Sequence, residues 1–276
     1  MHPDLAYTRR GTPGAPPLVL LHGIGHRRQA WDPVIDALAE HYDVIAPDLS
    51  GFGESPAFAG GVRYSMDNAC DHLLTQFERW GVVKPHVVGN SLGGAIALEL
   101  GARGLVSSVT ALSPAGFFGP VNRFQALVPL TLMRLSAVLT PKALLRRLAE
   151  QPVGRRLIGW ILYSHPERHD ADSTYGDSLA LKHATAFERT AKEGLVYRFD
   201  QQVPVRTTVA WGTQDRILPH AQAAVARRRL PSARHVDLPA CGHVPMGDDP
   251  ELVLRVIEQT AVGGAAAPTI TGRHAA

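Results

Sequence analysis

The stretch Val87-Val88-Gly89-Asn90-Ser91-Leu92-Gly93-Gly94 constrains this chain more than any other. A β-branched run enters Gly-x-Ser-x-Gly, and a helix-forming stretch over residues 95–100 follows at once. Strand, sharp turn and helix are the context in which a serine is held on a strained backbone with its Oγ lifted clear of a sheet. Bulky neighbours would collide at such a turn, so Gly89, Gly93 and Gly94 carry steric meaning there. A chain of 276 residues meets the bare pattern by chance about one time in ten. The rest of the chain decides what the pattern means.

Runs with strand character at 5–10, 18–22, 42–47, 86–89, 106–112, 206–211 and 235–238 alternate with runs of helical spacing. Helices are expected over 30–40, around 70–80 with Ser65 as cap, over 221–229, and over 251–261 after Asp248-Asp249-Pro250. Such alternation implies a mostly parallel sheet with helices on both faces. It breaks after Ser113-Pro114-Ala115-Gly116, and from 117 to 194 the pattern is helical throughout. There Thr140-Pro141 reads as cap and first helical residue, and Pro152 with Gly154 separates that helix from one over 156–164. The expected organisation is a core of residues 1–116 and 195–262, a helical insertion over 117–194, and a small, polar, glycine-rich flexible tail over 263–276.

Two further signals stand at strand ends. The strand at 207–211 runs into Gly212-Thr213-Gln214-Asp215, and the strand at 235–238 runs into Pro239-Ala240-Cys241-Gly242-His243. Catalytic groups in open α/β sheets gather beyond the carboxyl ends of strands. Ser91, Asp215 and His243 lie there, in the order serine, aspartate, histidine. Asp237 is the competing aspartate, but its place within a strand reads as a surface position.

His22-Gly23-Ile24-Gly25, residues 48–55, Gly89-Asn90-Ser91-Leu92-Gly93-Gly94, Asp215 and Gly242-His243 together resemble the α/β-hydrolase superfamily, over nearly the whole chain. The resemblance implies the α/β-hydrolase fold: an eight-stranded sheet with a helical cap inserted after the sixth strand. It also implies a serine esterase or lipase-like reaction. Ser91 would be the nucleophile, His243 the base and Asp215 its orienting carboxylate, with backbone N–H groups of Leu92 and Ile24 as oxyanion donors and Gly25 as the alternative to Ile24. His22 would shape the oxyanion loop without doing chemistry. Haloalkane dehalogenases and epoxide hydrolases of the same superfamily place aspartate where Ser91 stands, so those reactions are excluded.

Phe117, Phe118, Phe124, Leu127, Val128, Leu130, Leu132 and Met133 would give the cap an apolar underside, with Phe117, Phe118 and Val244 as pocket residues. The expected substrate is a hydrophobic small-molecule ester. The rival reaction is carbon–carbon bond hydrolysis of the meta-cleavage-product type, whose elbow is similar. Those enzymes tend to carry tryptophan directly after the histidine, where Val244 stands here. They also need a cation in the pocket, for which Arg123 and Arg189 are the cap candidates. A slow-turnover ligand receptor on a hydrolase scaffold is the rival from a different class.

No metal and no cofactor enter this reading. The net charge of +3 comes without a basic block, which excludes a nucleic-acid partner. No apolar run is long enough for stable membrane insertion. Two cysteines, Cys70 and Cys241, make neither a disulfide framework nor a zinc pattern, and the expected compartment is the cytoplasm. A homo-oligomer is left open.

Overall fold

A computed structural model describes residues 3–119 and 122–262, with the side chains of 122–126 outside the description. The tail at 263–276 and the side chains of Arg123 and Phe124 therefore lie outside the described residues.

Strands β1 (Tyr7–Arg10), β2 (Pro17–Leu21) and β3 (Asp43–Pro47) come first, with helix α1 (Asp32–Ala39) before β3. Helix α2 (Met66–Trp80) leads to β4 (His86–Asn90), α3 (Leu92–Ala102) and β5 (Ser108–Leu112). Among the described residues, five α-helices follow with no strand between them: α4 (Asn122–Leu139), α5 (Lys142–Glu150), α6 (Pro152–Gly159), α7 (Ala171–His183) and α8 (Phe187–Val196). The chain then resumes alternation with β6 (Arg206–Gly212), α9 (Ala221–Arg229), β7 (Arg234–Leu238), the short α10 (Pro245–Asp248) and α11 (Pro250–Val262).

The sheet has seven strands in the order β1-β3-β2-β4-β5-β6-β7, and only β1 runs antiparallel to its neighbour. Eight strands were expected from the resemblance. The described residues form seven, so the helical insertion expected after the sixth strand follows the fifth of those described. In that order β1 is an edge strand, tied to β3 by the Arg9–Asp43 ion pair. The central strands β3 and β5 are buried along their whole length, as parallel strands covered on both faces must be. Separate apolar clusters fill the two sides: one includes Phe77, Trp80, Phe117 and Trp211, the other Trp31, Leu38, Val253 and Ile257.

Local signals account for most helix ends. The Ser65 hydroxyl accepts the Asn68 N–H, and Gly81 closes α2 in the left-handed region. Asp249 accepts the Leu252 N–H at the start of α11. Two expectations fail. The Thr140 hydroxyl donates back to Ser136 C=O and caps nothing, while Pro141 occupies the cap position of α5. Pro152 opens α6 and does not merely precede it, because its missing N–H costs nothing at a first helical position. Among the described residues, no single helix is long and apolar enough to cross a membrane.

Candidate active site

Ser91 sits between β4 and α3 with φ 55° and ψ −112°, a conformation that side-chain-bearing residues rarely adopt. The flanking glycines are required by contact. A Cβ on Gly89 would lie 2.1 Å from the Gly93 carbonyl oxygen, and one on Gly93 would lie 2.1 Å from the Leu21 oxygen. Three backbone hydrogen bonds hold the turn: Ser91 N–H to Leu112 C=O, and the Ala95 and Ala115 N–H groups to Ser91 C=O.

Asp215 lies in the loop after β6, and His243 in the loop after β7. His243 Nδ1 is 2.8 Å from Asp215 Oδ2, and both side chains are buried. The other carboxylate oxygen, Oδ1, accepts the N–H groups of Ile217 and Leu218 at 2.9 and 2.8 Å. Both carboxylate oxygens are thus engaged, which fixes the carboxylate and orients the imidazole. Asp237, by contrast, is half-exposed and bonds His220 and Arg227 on the surface. Asn90 joins the two chain ends of the site: its side-chain amide donates to His243 C=O at 2.8 Å and to Leu112 C=O at 3.1 Å.

The loop after β2 approaches Ser91 from the other side. Gly23 C=O accepts the His26 N–H, and Gly25 turns at φ +72°, leaving the Ile24 N–H without a hydrogen bond among the described residues. Leu92 opens α3, where a first-turn N–H has no partner within the helix. His22 is fully buried and joins this loop to the next. Its Nε2 accepts the Leu49 N–H at 2.9 Å and its Nδ1 donates to Gly23 C=O at 2.7 Å, which fixes the neutral tautomer. Burial pushes its pKa down to about 4, against the pull of nearby Asp48. Cys241, two residues before His243, is pushed up to about 12 by burial and stays a thiol.

Ser91 and His243 line one cavity of about 560 Å³ that reaches beneath the helices between β5 and β6. Leu130, Met133, Leu145, Leu148, Ile158 and Val244 contribute apolar wall. Val244 lies in this wall, whereas Phe117 and Phe118, expected as pocket residues, do not. Phe117 is buried against Phe199 and Trp211 on the flank of the sheet, and Phe118 lines a separate cleft with Tyr197 and Arg229. Gly116, at φ +105°, turns the chain there, and its carbonyl is held by the Phe199 N–H and by Arg229. Arg189 is exposed and lies outside the cavity lining.

The cavity also carries polar groups that the sequence did not point to. His26 Nδ1 accepts the Arg27 N–H, which leaves Nε2–H facing the Tyr163 hydroxyl at 3.2 Å and Asp177 at 3.8 Å. Arg27 pairs with the same Asp177 at 2.8 Å. These contacts tie the loop after β2 to α7 and to the segment following α6. Further ties come from Asp248, which accepts the N–H groups of Ser164, His165 and Gly242. Only the position of His26, directly after Gly-Ile-Gly, hinted at any of this.

A family model for the alpha/beta hydrolase fold matches residues 16–250. The chain is 29% identical over 262 residues to the pimeloyl-[acyl-carrier protein] methyl ester esterase of Aeromonas hydrophila, covering 88% of this chain and 94% of that one. It is 28% identical over 247 residues to the 2-hydroxy-6-oxo-6-(2'-aminophenyl)hexa-2,4-dienoic acid hydrolase of Metapseudomonas resinovorans, covering 85% and 80%. Among solved structures it resembles a bacterial membrane phospholipase A, with TM-score 0.76, 25% identity, and 95% and 84% of the two chains covered. Seven strands in this order, a strained serine after β4 and a match over most of the length place the chain in the alpha/beta hydrolase fold family.

Proposed function

We propose that this chain is a serine esterase that hydrolyses carboxylic esters of hydrophobic small molecules. The observation that carries the reading is the apolar cavity with Ser91 and His243 in its wall and Asp215 bonded behind the imidazole. In this reading Ser91 Oγ attacks the ester carbonyl while His243 takes its proton. Asp215 holds Nδ1 protonated, so that Nε2 is the basic nitrogen, and stabilises the imidazolium. The carbonyl oxygen becomes an oxyanion between the Leu92 and Ile24 N–H groups. Collapse expels the alcohol, which leaves with the proton from His243, and water then releases the acid by the same steps in reverse roles. The helices between β5 and β6 act as a cap that supplies the acyl or alcohol pocket. With both cysteines present as buried free thiols, a reducing cytoplasm suits the protein.

Carbon–carbon hydrolysis of dienone acids is the second reading, favoured by the relative from Metapseudomonas resinovorans and by Arg155 and Arg216 in the cavity lining. Those guanidinium groups already donate to backbone carbonyls: Arg155 to Ala149 and Glu167, Arg216 to Trp160 and Tyr163. Recruiting either to a substrate carboxylate would break those bonds. The deciding measurement is kcat/KM for short- to medium-chain aryl esters and for a dienone ring-cleavage acid on one preparation. Esters should be preferred; a dienone preference of about a hundredfold, ~2.7 kcal/mol in transition-state binding, reverses the assignment.

A further inference from the structure

The surface around the cavity mouth is unlike the rest of the molecule. Of the thirteen large hydrophobic side chains that are exposed among the described residues, nine lie between 128 and 160. They are ordered. Val128, Leu132, Leu135 and Leu139 recur at steps of four, three and four along one face of α4. Val153, Leu157 and Trp160 do the same along α6 and the residue after it. On an isolated soluble helix that face would be polar. Four of these side chains, Val128, Leu132, Leu157 and Trp160, are both exposed and part of the cavity lining. The apolar exterior is therefore continuous with the apolar interior that reaches Ser91.

Charge supplies the second observation. Residues 128–160 hold six basic side chains and a single acidic one, Glu150, in a chain whose total charge is only +3. Lys142 and Arg147 are exposed on α5, which also carries the exposed Leu144, and Arg156 is exposed on α6 with Val153 and Leu157. Arg146 is paired with Glu150 and Asp172, and Arg155 donates to backbone carbonyls. Helices that expose both basic and bulky apolar side chains have the composition that lies in the plane of an anionic membrane surface. A protein partner would require no such excess of one sign. The α4–α5 pair bends by 111°, which suits lying on a surface.

We propose that this face docks on an anionic lipid surface and draws apolar ester directly from it into the cavity. Docking stands on the surface alone; delivery to Ser91 rests on the esterase reading. Long (CH₂) stems of Lys142, Arg147 and Arg156 would reach phosphates while Leu139, Val153 and Trp160 enter the headgroup boundary.

The four tryptophans make the test specific. Trp31, Trp80 and Trp211 are 0%, 6% and 1% exposed, whereas Trp160 is 52% exposed, so a blue shift of emission reports the docking face. The Ser91→Ala protein is titrated, without ester, with vesicles of phosphatidylcholine containing about one-third phosphatidylglycerol, and with pure phosphatidylcholine vesicles. The expected result is a Trp160 blue shift and co-sedimentation with the anionic vesicles, weakened about tenfold or more by ~0.5 M salt. The double substitution Leu139→Glu with Val153→Glu changes side chains 72% and 82% exposed and outside the cavity. It should lower vesicle binding by at least about tenfold and leave hydrolysis of a water-soluble aryl ester unchanged in the Ser91 background. Absence of binding to anionic vesicles overturns the proposal, as does binding that the double substitution leaves intact. A wild-type dimer abolished by that substitution, without vesicle binding, assigns the face to a second copy and also overturns it. Vesicle binding without any ester turnover leaves docking standing and removes the esterase reading.

Discussion

The most informative perturbation is Asp215→Asn, because the structure dictates which way round the amide must sit. Oδ1 of Asp215 accepts two backbone N–H groups, from Ile217 and Leu218, and Oδ2 accepts from His243 Nδ1. In the variant the amide oxygen must take the Oδ1 place. An NH₂ there would face two buried donors, leaving each unsatisfied at ~1–3 kcal/mol. The NH₂ group therefore falls where Oδ2 was and donates to His243 Nδ1. An Nδ1 that accepts cannot also carry the proton, so the proton moves to Nε2, the nitrogen that should take it from Ser91. The number of hydrogen bonds is unchanged and the side chain is isosteric, so folding should survive. Turnover should fall by ~10⁴, the cost known for the same tautomer inversion in other serine triads, or about 5.5 kcal/mol of barrier. The assay is kcat on a soluble aryl ester beside a thermal melt of the same sample. A loss of less than about tenfold with an unchanged melt would refute the tautomer argument and place the working carboxylate elsewhere.

Three further outcomes are expected. A fluorophosphonate probe should label the protein once, on Ser91, and mass spectrometry should find no adduct on the Ser91→Ala variant; an adduct at another serine refutes the nucleophile. Gly93→Ala would put a Cβ 2.1 Å from Leu21 O and 2.8 Å from His22 O, both rigid backbone, so it should cost ~4 kcal/mol, lower Tm by ~10 °C and abolish esterase activity. Gly60→Ala, which meets nothing within 4 Å, should do neither. The imidazole of His22, held down near 4 by burial, binds its proton more readily in the unfolded chain than in the folded one. Stability is thus complete above the free-histidine range near ~6.5 and is lost as pH falls from there toward 4, by at most ~3 kcal/mol from this group. Urea unfolding at pH 7 and pH 4.5 should show a smaller acid loss in His22→Gln than in wild type; an equal loss means other groups, such as His86 or His169, carry it.

The chemistry-bearing turns were legible because their causes are short-range. Gly89 faces the Gly93 carbonyl, which the strand–turn–helix brings to it by its own geometry, so the Gly-x-Ser-x-Gly spacing declares the serine between them. Asp215 and His243 could be chosen because each follows a strand of a parallel sheet, and all such strand ends open on one edge. The alternation of runs likewise carried the layer order, though the described residues form seven strands and not the expected eight. What lies across long separations was not readable. The Asn90 amide meets His243 C=O across 153 residues, and His26 meets Tyr163 across 137, and neither side chain differs in type from many that do nothing. Phe117 and Phe118 are as apolar as the cavity wall, yet the turn at Gly116 sends one into the core and the other to a separate cleft. Hydrophobicity says that a side chain leaves water and does not say which of two apolar interiors receives it. That choice is made by the direction in which the backbone enters the helices after β5, which only the packed chain defines.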